Sequence, residues 1–343
     1  MNLKFTIINC SHNQIIRHSY FNFKFIPLML DSVSENLYKI LEESCNECKS
    51  NLIALSGGLD STIIAHFLKQ RKPKSIAIIT EDFVSTDLTY CQMVSKEMQL
   101  PLTIYNVETI TILEAVDETI KILKNFNDIE IRNNVVMYLA IKWAKDNGEK
   151  SIITGDGADE LFAGYSFLIN KPEEELEDEI KRVCSIMHFP TQKIGKALGI
   201  NIESPFLNDI VVKLAKEIPA NLKVKNEKGK RHGKWILRKT FEKHIPHQIV
   251  WREKSAMQDG SGTAGLTNLF DSVINEEKFV EKKLTIEKEE GVIIRSRESM
   301  HYYEIFKKLF GSQIDQNAKN ICPYCKHKVD DSKFCRMCGA FPI

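Results

Sequence analysis

Short apolar runs alternate with segments of helical periodicity through the first half of the chain. Leu52-Ile53-Ala54-Leu55 precedes a helix expected from Ser61 to about Gln70. Ser75-Ile76-Ala77-Ile78-Ile79-Thr80 precedes one near 87–98, and Leu102-Thr103-Ile104-Tyr105 one near 110–124. A longer helix over about 133–146 leads into Ser151-Ile152-Ile153-Thr154. Continuous apolar runs of this length predict strands buried on both faces. The alternation predicts an α/β fold with a parallel sheet and helices on both faces. Upstream, Asp31 or Ser32 is placed to cap a helix to about Cys45, with Val33, Leu37, Ile40 and Leu41 on its apolar face. Residues 1–31 read as a β and loop segment. The acidic stretch from Lys171 to Arg182 reads as a solvated helix face. From about 205 to 310 the pattern is helical, broken by a polar turn at Asn226–Gly233 and a Gly-rich loop at 259–265. Residues 311–320 are polar and unpatterned, a linker. The expected organisation is therefore a segment at 1–31, a main domain at 32–310, the linker, and a small unit at 321–343.

Composition narrows the class. The 343 residues include 47 Lys and Arg against 46 Asp and Glu, a net charge of +1 that draws the chain to neither nucleic acid nor an anionic membrane. No run reaches the ~18 apolar residues of a membrane span. The run Phe25–Leu30 is too short for a signal peptide. A cytoplasmic protein is expected, its nine cysteines present as thiols or metal ligands.

The chemistry begins where the first strand ends. Ser56-Gly57-Gly58-Leu59-Asp60-Ser61 joins an apolar strand to a helix. Paired glycines let backbone N–H groups approach phosphate oxygens, and the helix N-terminus adds partial positive charge. No Lys follows the glycines, so the loop is not a Walker A P-loop; it resembles the SGGxDS loop of PP-loop ATP pyrophosphatases. A second block, Gly155-Asp156-Gly157-Ala158-Asp159-Glu160, follows the strand ending at Thr154. Acids facing a triphosphate make chemical sense with Mg²⁺ between them, and Asp60 and Asp159 are the candidate ligands.

The C-terminal segment is a strong signal of its own. Cys322-Pro-Tyr-Cys325 and, nine residues later, Cys335-Arg-Met-Cys338 have the spacing of a zinc ribbon with a closed structural Zn²⁺ site. Lys319, Lys326, Lys328, Lys333 and Arg336 outnumber Asp330 and Asp331, so a contact to RNA or to a protein partner is one expectation for it. Cys45 and Cys48 form another C-x-x-C, readable as a redox pair, as half of a metal site or as coincidence.

With both glycine blocks in view, the chain resembles the synthetase domain of glutamine-dependent asparagine synthetases, a PP-loop (HUP-like) ATP pyrophosphatase domain also seen in β-lactam synthetases. The resemblance extends through Ile131-Arg132-Asn133, Met137-Tyr138-Leu139, Pro205-Phe206-Leu207, Lys234-Trp235-Ile236-Leu237-Arg238, Trp251-Arg252-Glu253-Lys254 with Asp259-Gly260-Ser261-Gly262, and Tyr302-Tyr303-Glu304-Ile305-Phe306. It implies ATP as co-substrate, adenylation of a carboxylate, and attack by ammonia or another amine, with aspartate the leading acid. It implies catalytic roles for Lys254, as the cation at the reacting phosphate, and for Asp156, as the acceptor of the amine proton. Ser56, Gly57, Gly58, Asp60, Ser61, Thr80, Asp87, Thr154 and Gly155 are the implied ATP and pyrophosphate contacts, and Arg132 and Glu160 the possible substrate contacts.

The chain also departs from that pattern. Asn208 stands where the family usually has Asp. Position 2 is Asn2 where full synthetases expose a catalytic Cys, so ammonia is expected from solution or from a glutaminase partner in trans, unless the nucleophile is another amine. Residues near His188 and Pro190 occupy the places of the family's substrate-side Asp and Arg. The competing readings are adenylation of a tRNA or carrier protein docked by the ribbon, and a binding protein without catalysis.

Overall fold

The computed structural model of this chain describes residues 22–311, 320–329 and 334–343, with side chains from Leu30 onward. The sequence expectations for residues 1–21, for the linker at 312–319 and for Asp330, Asp331 and Lys333 lie outside the described residues.

The chain opens on a helix, α1 (Asn22–Glu47), followed by β1 (Leu52–Ala54) and α2 (Leu59–Leu68). Next come β2 (Lys74–Thr80), α3 (Asp87–Met98), β3 (Leu102–Val107), α4 (Thr109–Leu123), α5 (Asp128–Asp146), β4 (Ser151–Ile153) and, later, β5 (Asn201–Glu203). The five strands form one sheet in the order β3-β2-β1-β4-β5, parallel throughout. Ile53 pairs with Ile153 at its centre. Six of the seven β2 residues are buried, as expected of a strand covered on both faces.

The first helix begins at Asn22, not at Asp31 or Ser32, so part of the expected β and loop segment is helical. The apolar stripe explains it: Leu30 and Val33 pack on the same cluster as Leu37 and Leu41, continuing one face toward the N-terminus. The fifth strand, β5, was not expected at all. It is three residues long and buries only Ile202, so it offers no apolar run to read.

Strand order places the site. The chain winds from β1 outward through β2 to β3, then returns to add β4 and β5 on the other side. The carboxyl ends of β1 and β4 are therefore neighbours at the switch point, where open α/β sheets bind ligands. In the helical half, a short hairpin of Lys225–Glu227 with Lys230–His232 leads into Trp235–Phe241, whose Arg238 lines this end. Gly265–Val273 and Arg297–Phe310 pack together, and Arg297–Phe310 lies against α4 and α5. The C-terminal unit is docked, not loose. Phe126 N–H donates to Met337 O at 2.9 Å and Ile293 N–H to Tyr324 O at 2.7 Å. Its cysteines share one apolar cluster with α4 and α5. No helix among the described residues is long and apolar enough to cross a membrane.

Candidate active site

The loop after β1 is shaped by backbone crowding. Gly57 has φ +66°, and a Cβ there would lie 2.5 Å from the Tyr90 backbone. Only glycine meets both conditions. Ser56 and Ser61 brace the turn, their hydroxyl oxygens 3.2 Å apart, while Ser61 donates to Gly58 O at 3.2 Å. No side chain caps α2 at Gly58, so its first N–H groups are left for a ligand. The β4 loop lies against the same helix end: a Cβ on Gly155 would be 3.0 Å from Asp60 Cβ.

Between the loops lies a cavity of about 480 Å³. Ser56, Gly58, Asp60, Ser61, Thr154, Gly155, Asp156, Asp159, Glu160, Asp87 and Lys254 all line it. Gly57 does not line it and lies against the Tyr90 backbone instead. At the base of the cavity is an alternating charge cluster. Lys234 Nζ donates to Asp60 at 2.8 and 2.6 Å and lies 2.7 Å from Asp159 Oδ1. Lys254 Nζ donates to Asp159 Oδ2 at 2.7 Å. Lys234 is 4% exposed and both acids 18%.

Burial alone would raise the Asp159 carboxyl, but Lys234 and Lys254 outweigh it and hold it well below the carboxylate range. Burial would lower Lys254, and Asp159 with Asp60 reverses that, keeping the ammonium charged. The cluster also meets the requirements of a divalent cation. Asp159 Oδ1 is buried and faces Lys234 Nζ at 2.7 Å, and the same ammonium holds Asp60. Two carboxylates converging on one cavity are oxygen donors of the hard kind Mg²⁺ takes.

Asp156 and Glu160 have a different character. Thr191 and Thr154 hydroxyls donate to Asp156 Oδ2 at 2.5 and 3.0 Å. Tyr165 donates to Glu160 Oε1 at 2.6 Å. Neither acid has an ion-pair partner among the described residues. Burial pushes both carboxyls up, only partly offset by these hydroxyl donors. A carboxylate of raised basicity in a cavity suits proton transfer.

Three residues assigned from sequence sit differently. Arg132 does not reach the cavity. Its guanidinium binds Gln258 at 2.9 Å and Glu298 at 2.7 Å, with Thr267, tying α5 to the closing helix Arg297–Phe310. Glu298 is buried and also accepts from Tyr302 at 2.8 Å. Thr80 does not line the cavity either; its hydroxyl bonds Phe83 O and Ser261 O. Asp87 lines the cavity, but Arg252 Nη2 holds its carboxylate at 2.5 Å. Arg252 stacks 3.9 Å from the Tyr90 ring centroid and reaches Ser56 O at 3.4 Å, so it braces the loop after β1.

The sequence reading missed Lys234 as a site residue. The signal was present in Gly233-Lys234-Trp235, where Lys234 adopts φ +54° at the head of its helix. Gly164 makes room for it, since a Cβ there would overlap both Asp159 and the Lys234 stem.

The four ribbon cysteines are buried, with sulfurs all within 4.8 Å of one another. Cys322 and Cys338 sulfurs are 3.7 Å apart, and Cys325 and Cys335 sulfurs 3.5 Å. Tetrahedral Zn–S bonds of about 2.3 Å put sulfurs about 3.8 Å apart, so the set fits Zn²⁺. Cys45 and Cys48 are free, buried thiols. Burial raises both, Cys48 to about 12, the opposite of what a reactive pair needs.

The asparagine synthase family matches residues 37–183 and 173–324. A probable glutamine-hydrolysing asparagine synthetase of Dictyostelium discoideum is 28% identical over 266 residues, covering 67% of this chain and 47% of that protein. The glutamine-hydrolysing asparagine synthetase B of Escherichia coli (strain K12) is 27% identical over 317 residues, covering 82% and 55%. The chain thus spans about half the length of the curated relatives it matches. An NMN synthetase structure from Francisella tularensis aligns over 82% of this chain and 95% of its own at 12% identity, with a TM-score of 0.28, too weak a likeness to carry an argument.

Proposed function

This chain belongs to the asparagine synthase family, and from that premise we propose that it is an ATP-dependent, AMP-forming ligase that activates a carboxylate and converts it to an amide. The observation that supports this most is the cluster of Lys234, Lys254, Asp60 and Asp159 beside the uncapped start of α2. It pairs cations for phosphate with oxygen donors for a metal in one cavity. Asp60 and Asp159 would hold Mg²⁺, which when bound supplies charge neutralisation for the pyrophosphate.

A substrate carboxylate oxygen attacks the α-phosphorus of ATP. The bond from that phosphorus to the bridging oxygen breaks, and pyrophosphate leaves with the electron pair. The N–H groups opening α2 and the Lys234 ammonium hold the leaving group. Lys254 stabilises the charge building on the α-phosphoryl oxygens, and later that on the tetrahedral oxyanion. The amine then attacks the acyl carbon, its proton passes to Asp156, and AMP departs. The leading acid is aspartate and the leading nitrogen source ammonia, free or delivered by a glutaminase in trans; another amine fits the same chemistry.

The test is zinc-loaded protein with Mg-ATP, ammonium and L-aspartate. AMP, pyrophosphate and asparagine formed in equal amounts support the reading. AMP formed only with another carboxylate would replace aspartate and keep the ligase. Release of ADP, or nucleotide cleavage equally fast in Lys254→Ala, overturns it.

A further inference from the structure

We propose that the zinc ribbon forms one wall of the acyl-substrate pocket and that Arg336 recognises a second anionic group on the acid being activated. The inference rests on the ligase reading above. It starts from the cations that line the cavity. Lys234 and Lys254 are held by Asp60 and Asp159, and Arg252 by Asp87. Arg238 directs its guanidinium to the backbone carbonyls of Gly233, Val250 and Arg252.

Arg336 is different. It lines the same cavity from the ribbon side and has no carboxylate partner among the described residues. Among the described residues its one hydrogen bond runs from Nη2 to Ile186 O at 2.5 Å. A guanidinium carries five N–H donors in a planar fork, so the fork keeps donors for a carboxylate or other planar oxyanion.

Its backbone is fixed at both ends. Arg336 lies between Cys335 and Cys338, two of the four clustered cysteines. Gly339 N–H donates to Cys335 O at 2.7 Å, and Phe126 N–H to Met337 O at 2.9 Å. Arg295 clamps the same knuckle through Gly339 O at 3.3 Å and Cys338 O. A structural metal therefore sets the position of a side chain in the reaction cavity. The side chain bridges the ribbon to Ile186, just ahead of His188, Phe189 and Pro190, which also line that cavity. A cation with no carboxylate partner among the described residues selects acids with a second negative group over simple monocarboxylates.

The test uses the full chain, zinc-loaded, with Mg²⁺ and α,β-methylene-ATP. Calorimetry compares L-aspartate and succinate, each with two carboxylates, against β-alanine, which has one. The wild type is expected to bind at least one diacid about ten-fold or more tighter than β-alanine, the scale of one charge-assisted pair. Arg336→Ala should erase that difference and Arg336→Lys restore part of it, with zinc content and nucleotide affinity unchanged. A wild type without the preference overturns the inference, and so does an Arg336→Ala variant that keeps it. Equal weakening of all three acids also overturns it, since that would make Arg336 a structural wall. AMP release is followed in parallel with hydrolysable ATP. Arginine-dependent diacid binding without AMP release sinks the ligase reading and leaves this inference standing. AMP release with β-alanine as readily as with either diacid does the reverse.

Discussion

Lys234 donates to both carboxylate oxygens of Asp60, at 2.8 and 2.6 Å, from a position only 4% exposed. The same ammonium lies 2.7 Å from Asp159. Removing it leaves two carboxylates facing a cavity with Lys254 as their remaining close cation. Lys234→Ala should cost about 3–5 kcal/mol in denaturant unfolding, the usual result of stripping one partner from a buried pair. Millimolar Mg²⁺ should recover more stability in this variant than in wild type, because the ion takes the vacated charge position. Wild-type stability, or no difference in the Mg²⁺ effect, would show that the lysine is not the counter-ion of this pair.

Asp156 gives a kinetic prediction. A base must be unprotonated, and burial raises this carboxyl above its ordinary range. Amide formation should therefore rise with pH through an ionisation higher than that of a free Asp. The Thr191 hydroxyl bond favours the ionised form. Thr191→Val should move the rising limb to higher pH, and Asp156→Asn should slow amide formation by about 10²–10⁴. Pyrophosphate exchange, which needs no proton transfer from the amine, should survive in Asp156→Asn. Loss of exchange and amide formation together would place Asp156 in substrate binding instead.

The two glycine loops, at 56–61 and 155–160, were legible because each follows an apolar strand and needs glycine for backbone reasons that survive in sequence. The cysteine ribbon was legible from spacing alone. What sequence could not supply was which face each long helix turns inward. Arg132 sits on α5 one turn from cavity-lining positions, yet it turns to Glu298, 166 residues away. Lys234 was visible in a motif, but its meaning depends on Asp60, 174 residues distant. The strand β5 escaped because an edge strand with one buried residue has no periodicity to detect.

His66 on α2 predicts an acid-labile fold. Burial, reinforced by Lys69 and His244, lowers its pKa from 6.5 to about 4. Its Nε2 lies 3.1 Å from Tyr38 OH, and its Nδ1 has no partner. Below pH 6.5 the unfolded chain binds a proton that the folded chain refuses, so stability falls as pH drops from 6.5 toward 4. The full effect is up to about 3 kcal/mol. His66→Gln should flatten this part of the stability profile measured by urea unfolding. An unchanged slope would assign the acid sensitivity to other groups.

The zinc site predicts that metal, docking and substrate selection change together while nucleotide binding does not. Cys335→Ser removes one of four clustered thiolates, and a site of this kind holds a segment with little core of its own. One zinc per chain is expected in wild type and a clear loss in the variant. The Met337 and Tyr324 carbonyls would then leave Phe126 and Ile293, so proteases should cut within 320–343. The loop after β1 is braced by Arg252, Asp87 and Tyr90, and none of these belongs to the ribbon. Affinity for Mg-ATP should therefore stay within about two-fold, less than the 1.4 kcal/mol that a ten-fold change represents. If chelation abolishes nucleotide binding as well, the ribbon supports the whole domain, and its place at the acyl end has no separate consequence.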